Sequence, residues 1–262
     1  MNSWTKYLAF VQVGVTRAST ERGEIYGRML FVPVILGVFS ALWGAVGESG
    51  KHATSAPHAL VWYLAITEWI VLSPPLIFME IQEEILRGDI ATHLPRPVSY
   101  VGGVYCQAVG MLCVRSLILG VFTTGFAYVW TGTFPELRLL AWAFPLGFAA
   151  QLVIIAMYVA LGITAFWFVE VTPLYIVWQK TLFILGGLML PLEFYPAWVQ
   201  RYGAFTPFPS LLSGPAGLLL HATPDGYVPA VAARLTLWFC VVSCATFWLF
   251  QRALRRLQLN GG

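Results

Sequence analysis

Charged side chains are scarce in this sequence. Lys, Arg, Asp and Glu make up 10% of its 262 residues, whereas hydrophobic residues make up 58%. Soluble domains carry about 25% charged residues, and a soluble chain so poor in charge would expose apolar patches that aggregate. The composition therefore excludes an ordinary soluble domain, a disordered chain and a nucleic-acid-binding domain, and it predicts a polytopic membrane protein.

Cysteine and histidine are equally sparse, and their positions exclude several kinds of site. The four histidines all lie outside the long apolar runs, so no membrane helix offers an imidazole to a haem or a metal. The four cysteines lie inside apolar runs without a C-x-x-C spacing, as small buried hydrophobic residues do. These residues are His52, His58, His93, His221, Cys106, Cys113, Cys240 and Cys244. The sequence thus predicts no metal, no cofactor and no catalytic residue in this chain.

Residues 45–52 come close to a phosphate-binding loop but lack two of its defining positions. The motif G-x-x-x-x-G-K-[ST] needs a first glycine and a hydroxyl after the lysine. Ala45 and His52 occupy those positions here. We therefore expect no ATPase within this chain.

Six apolar runs are long enough to cross a bilayer as helices, which needs about 20 residues each. Their continuous apolar character differs from the alternation of membrane β-strands. The predicted fold is an all-α integral membrane protein with a single transmembrane domain. In it, residues 1–28 form an interfacial or connecting helix, residues 29–250 form six spans and residues 251–262 form a basic tail. The runs cover 29–46, 59–78, 101–130, 139–169, 174–192 and 228–250.

The distribution of Lys and Arg predicts the orientation. An even number of spans places both termini on one side, and the segments on that side hold more basic residues than the opposite loops. Arg252, Arg255 and Arg256 directly follow the last run. We therefore expect cytoplasmic N and C termini.

The N-terminal segment has a helical apolar stripe. Trp4, Leu8, Val11, Val15 and Ala18 recur at steps of three and four residues. This pattern favours an amphipathic helix lying in the membrane interface before the first span. The alternative is a frayed leader.

The loop between the second and third runs, residues 80–97, concentrates charge. Glu83 and Arg87 have the i, i+4 spacing of a helical ion pair, and Gly88 suits a helix end. Pro95 and Pro97 stop any continuation toward the next span. The segment predicts a short charged helix that contacts a cytosolic partner, with a merely solvated loop as the alternative.

Residues 186–220 are apolar yet interrupted by five prolines and five glycines. They form neither one straight helix nor an ordinary exposed loop. Irregular backbone at membrane depth is tolerated only where protein buries it or where it lines a cavity. We therefore expect a re-entrant or interfacial helical hairpin on the outer side.

Two charged residues fall deep inside predicted spans, and such residues are functional candidates. The depths of Glu68 and Arg115 in consecutive spans differ by about 5 Å at 1.5 Å per residue, so we expect them to pair. The pair would lock two helices or line a substrate path. Trp69 and Trp178 are further pathway candidates, with membrane-belt tryptophans as the alternative. Lys180 is expected to extend to the inner interface.

Two segments resemble bacterial type-2 ABC exporter permeases of the drug and viologen exporter kind. The first has an acidic, Ile-containing turn, a Gly-Asp step and a Leu-x-Arg-Pro close, here Glu84, Ile85, Gly88, Asp89, Leu94, Arg96 and Pro97. The second runs from Gly186 to Phe208 and resembles the broken fifth helix and outer hairpin of that family.

The resemblance implies a permease subunit for ATP-driven efflux of an amphiphilic drug, toxin or lipid-like substrate. It implies partnership with two cytosolic ATPase subunits, which would bind ATP and Mg²⁺, and with a second permease, identical or related, among membrane lipids. The residues it assigns to ATPase coupling are Glu80, Glu83, Glu84, Arg87, Gly88, Asp89 and Arg96, and those of the outer hairpin are Pro191, Glu193, Tyr195, Pro196 and Trp198. The alternative is an ATP-independent secondary transporter or other polytopic membrane protein that uses Glu68.

Overall fold

The computed structural model describes residues 3–48, 57–93, 98–220 and 225–260. Within these ranges the chain is helical and has no β-strand, so the predicted all-α class is confirmed. His52, His221, Leu94, Arg96 and Pro97 lie outside them.

The helices differ greatly in length. In chain order they are α1 (Ser3–Thr20), α2 (Arg22–Glu48), α3 (Pro57–Leu72), α4 (Ile77–Arg87), α5 (Ile90–His93), α6 (Tyr100–Thr131), α7 (Leu137–Ile163), α8 (Thr172–Gly186), α9 (Ala197–Gly203), α10 (Phe208–Leu211), α11 (Ser213–Gly217) and α12 (Tyr227–Asn260), with 3₁₀ turns at Thr164–Phe166 and Leu192–Phe194.

Five helical segments in the described ranges are long and apolar enough to cross a membrane. They are Gly23–Gly44, His58–Arg87, Tyr100–Thr131, Leu137–Phe166 and Tyr227–Arg255. They correspond to five of the six predicted runs. The remaining run, 174–192, overlaps the 15-residue α8, which begins at Thr172 and ends at Gly186 and is about 22 Å long at 1.5 Å per residue.

The central helix of the bundle is α3. Every residue from Val61 to Ile70 is buried, because α2, α6, α7 and α11 pack around it. Small residues on two neighbouring helices make room for its bulkiest side chain: a Cβ at Gly120 or Gly147 would come within 3.0 and 2.4 Å of the Trp69 ring. The large-to-small match fixes the height of α3 relative to α6 and α7.

Side-chain contacts define the two ends of the bundle. At the first, which we call the Trp62 end, the indole nitrogen of Trp62 donates to the Thr133 carbonyl at 3.1 Å. At the other, which we call the Glu84 end, the Tyr100 hydroxyl donates to Glu84 at 2.7 Å.

Both terminal helices reach the Glu84 end. On α12, Phe250 stacks on Tyr100 with ring centroids 5.7 Å apart. On α1, the ring of Tyr7 lies against Gly102, near the start of α6. The first turns of α1 and the last turns of α12 therefore lie at the same end of the bundle.

The predicted placement of α1 in the plane of the interface is wrong. Its contacts advance together with those of α6, from Tyr7 against Gly102 to Gly14 against Gln107, so α1 runs parallel to the first half of a spanning helix. Its buried residues are Gly14 and Ala18, whereas Trp4, Leu8 and Val15 of the predicted stripe are exposed. Of the predicted stripe, Val11 contacts Gly110 of α6 and Ala18 is buried, while Gly14, which lies outside the stripe, makes the closest approach to the α6 backbone.

Two predicted segment boundaries also fall inside helices. The helix α2 begins at Arg22, so the boundary between residues 28 and 29 divides one helix. The helix α12 continues to Asn260, so residues 251–260 are helical and continuous with the last span, and their role as a basic tail stays a prediction.

Residues 187–220 fold back on the bundle after α8. Gly187 ends α8 with φ of 71°, a left-handed conformation that favours glycine. Ser213 then donates to the Gly186 carbonyl at 2.5 Å, and Phe208 lies 6.5 Å from Trp178 between ring centroids. The segment thus leaves α8, forms α9 and returns against α8 through α10 and α11.

Candidate functional site

The helix α4 has one apolar and one charged face. Ile77, Phe78 and Ile81 are buried, and a Cβ at Gly162 of α7 would lie 2.7 Å from Ile81. The Gln82 side chain accepts from the Val171 N–H at 2.8 Å. The sequence places large aliphatic residues three and four apart, so α4 binds α7 through one face and leaves the other free.

Four of the predicted coupling residues lie on the free face. Arg87 donates to Glu83 at 3.0 Å, and both side chains are more than half exposed. Gly88 ends α4 with φ of 78°, and Asp89 follows it, exposed. We call Glu83, Arg87 and Asp89 the charged tip.

The other predicted coupling residues have different surroundings. Glu84 accepts the hydrogen bond from Tyr100 of α6, and Glu80 binds Arg17 of α1 at 2.5 Å. Arg96 lies outside the described residues. Glu80 and Glu84 therefore hold α4 to its neighbours in the same chain.

The Arg17–Glu80 pair belongs to a connected set of three arginines and three glutamates, which we call the ionic cluster. Arg17 also binds Glu21 at 2.7 Å, and Arg28 binds Glu24 at 2.5 Å. Arg115 binds Glu24 at 2.5 Å and Glu21 at 3.3 Å. The cluster thus connects α1, α2, α4 and α6, and its charges balance.

Glu21 and Glu24 lie at the elbow where α1 ends and α2 begins. The Glu21 N–H donates to the Arg17 carbonyl at 3.1 Å, which keeps the elbow tight and directs both carboxylates toward α6. Burial lowers the pKa of Arg17, but its hydrogen bonds to Glu80 and Glu21 outweigh that effect and raise the pKa above its ordinary value. The Arg17 guanidinium therefore remains charged at physiological pH.

Arg28 caps the break between α3 and α4. Pro74 and Pro75 have no N–H, so the last carbonyls of α3 lack their usual helical donors. The Arg28 guanidinium donates to the Leu72 carbonyl and, at 3.1 Å, to the Pro74 carbonyl. A cation at a helix C-terminus is also favoured by the helix dipole.

The predicted Glu68–Arg115 pair is wrong. Arg115 is 2% exposed and pairs with the elbow carboxylates instead. Glu68 is 3% exposed and forms no ion pair among the described residues. Similar depth in two helices does not bring two side chains together, because successive residues of a helix point about 100° apart. The neighbour of Glu68, Trp69, makes the contact with α6 by donating its indole N–H to the Ser116 carbonyl at 2.8 Å.

Trp69 also lines a lateral cavity of about 830 Å³ between α6 and α7. Its other walls come from Cys113, Thr124, Phe144 and Phe148, and no charged residue contributes to them. Because Ser116 binds the indole nitrogen, Trp69 presents only its apolar surface. The cavity can accommodate an apolar group, and a role for Trp69 in a substrate path stays a prediction.

Trp178, the other aromatic candidate, lies in a ring cluster at the start of α8. Its ring is 5.1 Å from Tyr158 and 6.2 Å from Tyr175, and Tyr175 stacks on Phe78 at 4.5 Å between centroids. Lys180 is exposed and lies 5.4 Å above the Phe183 ring. The cluster joins α4, α7 and α8 through apolar contacts.

The predicted hairpin residues lie between α8 and α10. Pro191 is buried and precedes the 3₁₀ turn that contains Glu193. The Tyr195 carbonyl accepts from Gln200 at 2.8 Å, and Pro196 precedes α9. Trp198 is 65% exposed. Tyr63 of α3 anchors the hairpin, because its hydroxyl donates to the Gly187 carbonyl at 2.5 Å.

Sequence reasoning missed the elbow and its partners. Arg17, Glu21, Glu24 and Arg28 were visible as charges at two i, i+4 spacings, the pattern of helical ion pairs. Their link to Arg115 depends on α1 lying beside α6, which the sequence did not indicate. Within the described ranges, no three His, Cys, Asp or Glu residues converge as a metal site.

Comparison with known proteins identifies the family. A comparison with curated proteins finds no match to the chain. Residues 61–261 match the family model described as ABC-2 family transporter protein, and this match covers the bundle from α3 to the end of α12. The chain therefore belongs to the ABC-2 family, whose members are membrane subunits of ABC-type transporters.

Proposed function

We propose that this chain is the permease subunit of an ATP-driven exporter and that separate ATPase subunits dock on the charged tip. The observation that carries the proposal is the placement of that tip. Glu83, Arg87 and Asp89 are exposed at the charged end of the amphipathic helix α4, which forms the last part of the candidate span His58–Arg87. The first turns of α1 and the last turns of α12 also lie at the Glu84 end. The predicted orientation, with both termini in the cytoplasm, requires this of the cytoplasmic face.

The proposal assigns ATP and Mg²⁺ to the partner. The described residues of this chain supply the bundle and the charged tip. Residues 45–52, which resemble a phosphate-binding loop, lack the glycine and the hydroxyl that the motif requires. Closure of two ATPase subunits would displace α4 and thereby tilt the spanning helices. The protein would lie in the bacterial inner membrane, with both termini in the cytoplasm.

The proposed assembly contains two permeases, identical or related. The helix α2 has large apolar side chains on its surface, among them Leu30, Val34 and Val38, which lipid or a second permease would cover. The proposed substrate is amphiphilic, because the lateral cavity at Trp69 has apolar walls. Native mass spectrometry of the purified complex measures the number of permease and ATPase copies.

The charged tip can be tested by charge reversal. We expect Glu83→Lys combined with Asp89→Lys to reduce co-purification of the ATPase from native membranes at least about tenfold, since several contacts of a docking site reverse sign together. Glu136→Lys is the matched control, because Glu136 is an exposed glutamate that precedes α7 at the Trp62 end. Thermal midpoints in detergent would show that all variants fold.

The proposed function fails if no ATPase co-purifies with the unsubstituted chain. The docking assignment alone fails if the ATPase co-purifies equally with the double reversal and with the control.

A further inference from the structure

The backbone between α3 and α4 is poorly suited to transmit force. Residues Ser73 to Leu76 are not helical, and two of the four are prolines. The Ser73 N–H and hydroxyl both bind the Trp69 carbonyl, at 3.2 and 2.7 Å, on the α3 side. No continuous ladder of backbone hydrogen bonds therefore joins α4 to the span that precedes it.

Side chains of the ionic cluster bridge this break. Glu80, one turn into α4, binds Arg17 of α1. Arg28 of α2 binds the Leu72 and Pro74 carbonyls. The helices α1 and α2 thus hold α4 on one side of the break and the end of α3 on the other.

The elbow carries the connection onward to α6. Glu24 binds both Arg28 and Arg115, each at 2.5 Å. Arg115 is 2% exposed, so water competes little for its hydrogen bonds, and low local dielectric strengthens them. Along its length α1 also lies too close to α6 to slide freely, since a Cβ at Gly14 would be 2.0 Å from the Gln107 carbonyl oxygen.

We propose that the ionic cluster is a rigid joint that makes α4, the α1–α2 elbow and α6 move as one body when the ATPase displaces the charged tip. Its six members are positioning residues that act through the helices they join. The proposal rests on the proposed function for the source of the force, but the rigidity of the joint is a property of this chain alone.

The joint can be tested without any ATPase. Spin labels at Leu86→Cys on α4 and Leu117→Cys on α6 lie on exposed positions, in a chain whose four native cysteines are serine, purified in lipid nanodiscs. We expect one narrow distance distribution. Arg17→Glu or Glu80→Arg alone should broaden or shift it, because like charges then face each other. Arg17→Glu with Glu80→Arg together should restore it in part, because opposite charges again meet across this contact while position 17 still faces Glu21.

The control is a swap of the exposed Arg138–Asp225 pair, whose charged atoms are 3.0 Å apart, to Arg138→Asp with Asp225→Arg. This pair lies outside the cluster and should leave the distribution unchanged. A broad distribution in the unsubstituted chain, or a narrow one that survives both single reversals, overturns the joint. Where a single reversal lowers the yield, Arg17→Gln replaces it as a milder break.

The role in coupling is measured in the complex with the co-purified ATPase. Labels at Leu117→Cys on α6 and Leu237→Cys on α12, both exposed, report the ATP-dependent change in distance. We expect a single reversal to reduce this change at least about fivefold while the ATPase stays bound and active, as for loss of a coupling energy. The Arg17/Glu80 swap should restore the change in part. An unchanged response overturns the coupling role, whereas absence of a bound ATPase contradicts the proposed function instead.

Discussion

Arg115 and Glu24 form a short contact of the ionic cluster, and their environments are unequal. Arg115 is 2% exposed, whereas the Glu24 side chain is 41% exposed. A buried charge that loses its partner costs more than a half-exposed one, because only the latter can be rehydrated. Removing the carboxylate of Glu24 should therefore destabilise the protein more than removing the guanidinium of Arg115.

We expect Glu24→Gln to destabilise the protein by about 2–3 kcal/mol, since it leaves Arg115 buried with only the longer contact to Glu21. Arg115→Met should cost less, because the freed carboxylates reach solvent and methionine fills the apolar space. Thermal midpoints in detergent measure both. Equal shifts, or a larger shift for Arg115→Met, would contradict this account.

Tyr63 provides a second prediction at the scale of the residue. Its buried hydroxyl donates to the Gly187 carbonyl, at the turn where α8 ends. Tyr63→Phe leaves that carbonyl without its donor and should cost about 1–2 kcal/mol. Tyr202→Phe, at a position 68% exposed, is the control and should leave the midpoint unchanged. An unaltered midpoint for Tyr63→Phe would show that the hairpin is held elsewhere.

At the scale of the element, small residues explain why α1 and α6 form a tight helix pair. Gly14 and Gly110 remove the side chains that would separate the two backbones: a Cβ at either would lie 2.0 or 2.1 Å from a carbonyl oxygen of the other helix. Small residues allow such close approach in membrane helices generally. The close approach of the two helices also brings the elbow within reach of Arg115.

We therefore expect Gly14→Ala to push α1 away from α6 and to weaken the cluster. Its signature is earlier proteolysis of the N-terminal helix and a lower thermal midpoint. Gly27→Ala is the matched control, because a Cβ at Gly27 of α2 meets nothing within 4 Å. There alanine should raise helix stability by about 0.5–1 kcal/mol. Equal behaviour of the two variants would show that α1 tolerates a wider spacing.

At the scale of the whole molecule, the two ends of the bundle differ in what they carry. The Glu84 end has the charged tip, the start of α1 and the last turns of α12, while Thr133 and the start of α7 lie at the Trp62 end. If the Glu84 end faces the cytoplasm, every charged feature assigned to the ATPase partner lies on the side where ATP is available.

This orientation predicts the outcome of reporter fusions. A fluorescent protein at either terminus should fold and fluoresce, because it remains in the cytoplasm. Alkaline phosphatase fused after Thr133 should be active, since that position would be translocated. Phosphatase activity at either terminus would contradict the orientation, and the charged tip would then face the opposite compartment.

Much of the architecture follows from local sequence. Long apolar runs specify helices wherever lipid is the solvent, because the backbone must satisfy its own hydrogen bonds there. The Pro74–Pro75 pair specifies the break after α3, and the spacing of Glu83, Arg87 and Gly88 specifies how α4 ends. These features depend on residues that are close in the sequence, so they can be predicted from the sequence alone.

Tertiary structure alone decided which distant charges meet. Arg115 has two carboxylate partners more than 90 residues away, and its choice of Glu24 over Glu68 depends on the rotation of α3 and on the close approach of α1. The sequence by itself determined the helical apolar runs, five of which are long enough to cross a membrane, the break and the scarcity of charge. The packing of small glycines against facing backbones determined the ionic cluster, because partner choice among distant charges depends on helix rotation and separation, which no local pattern encodes.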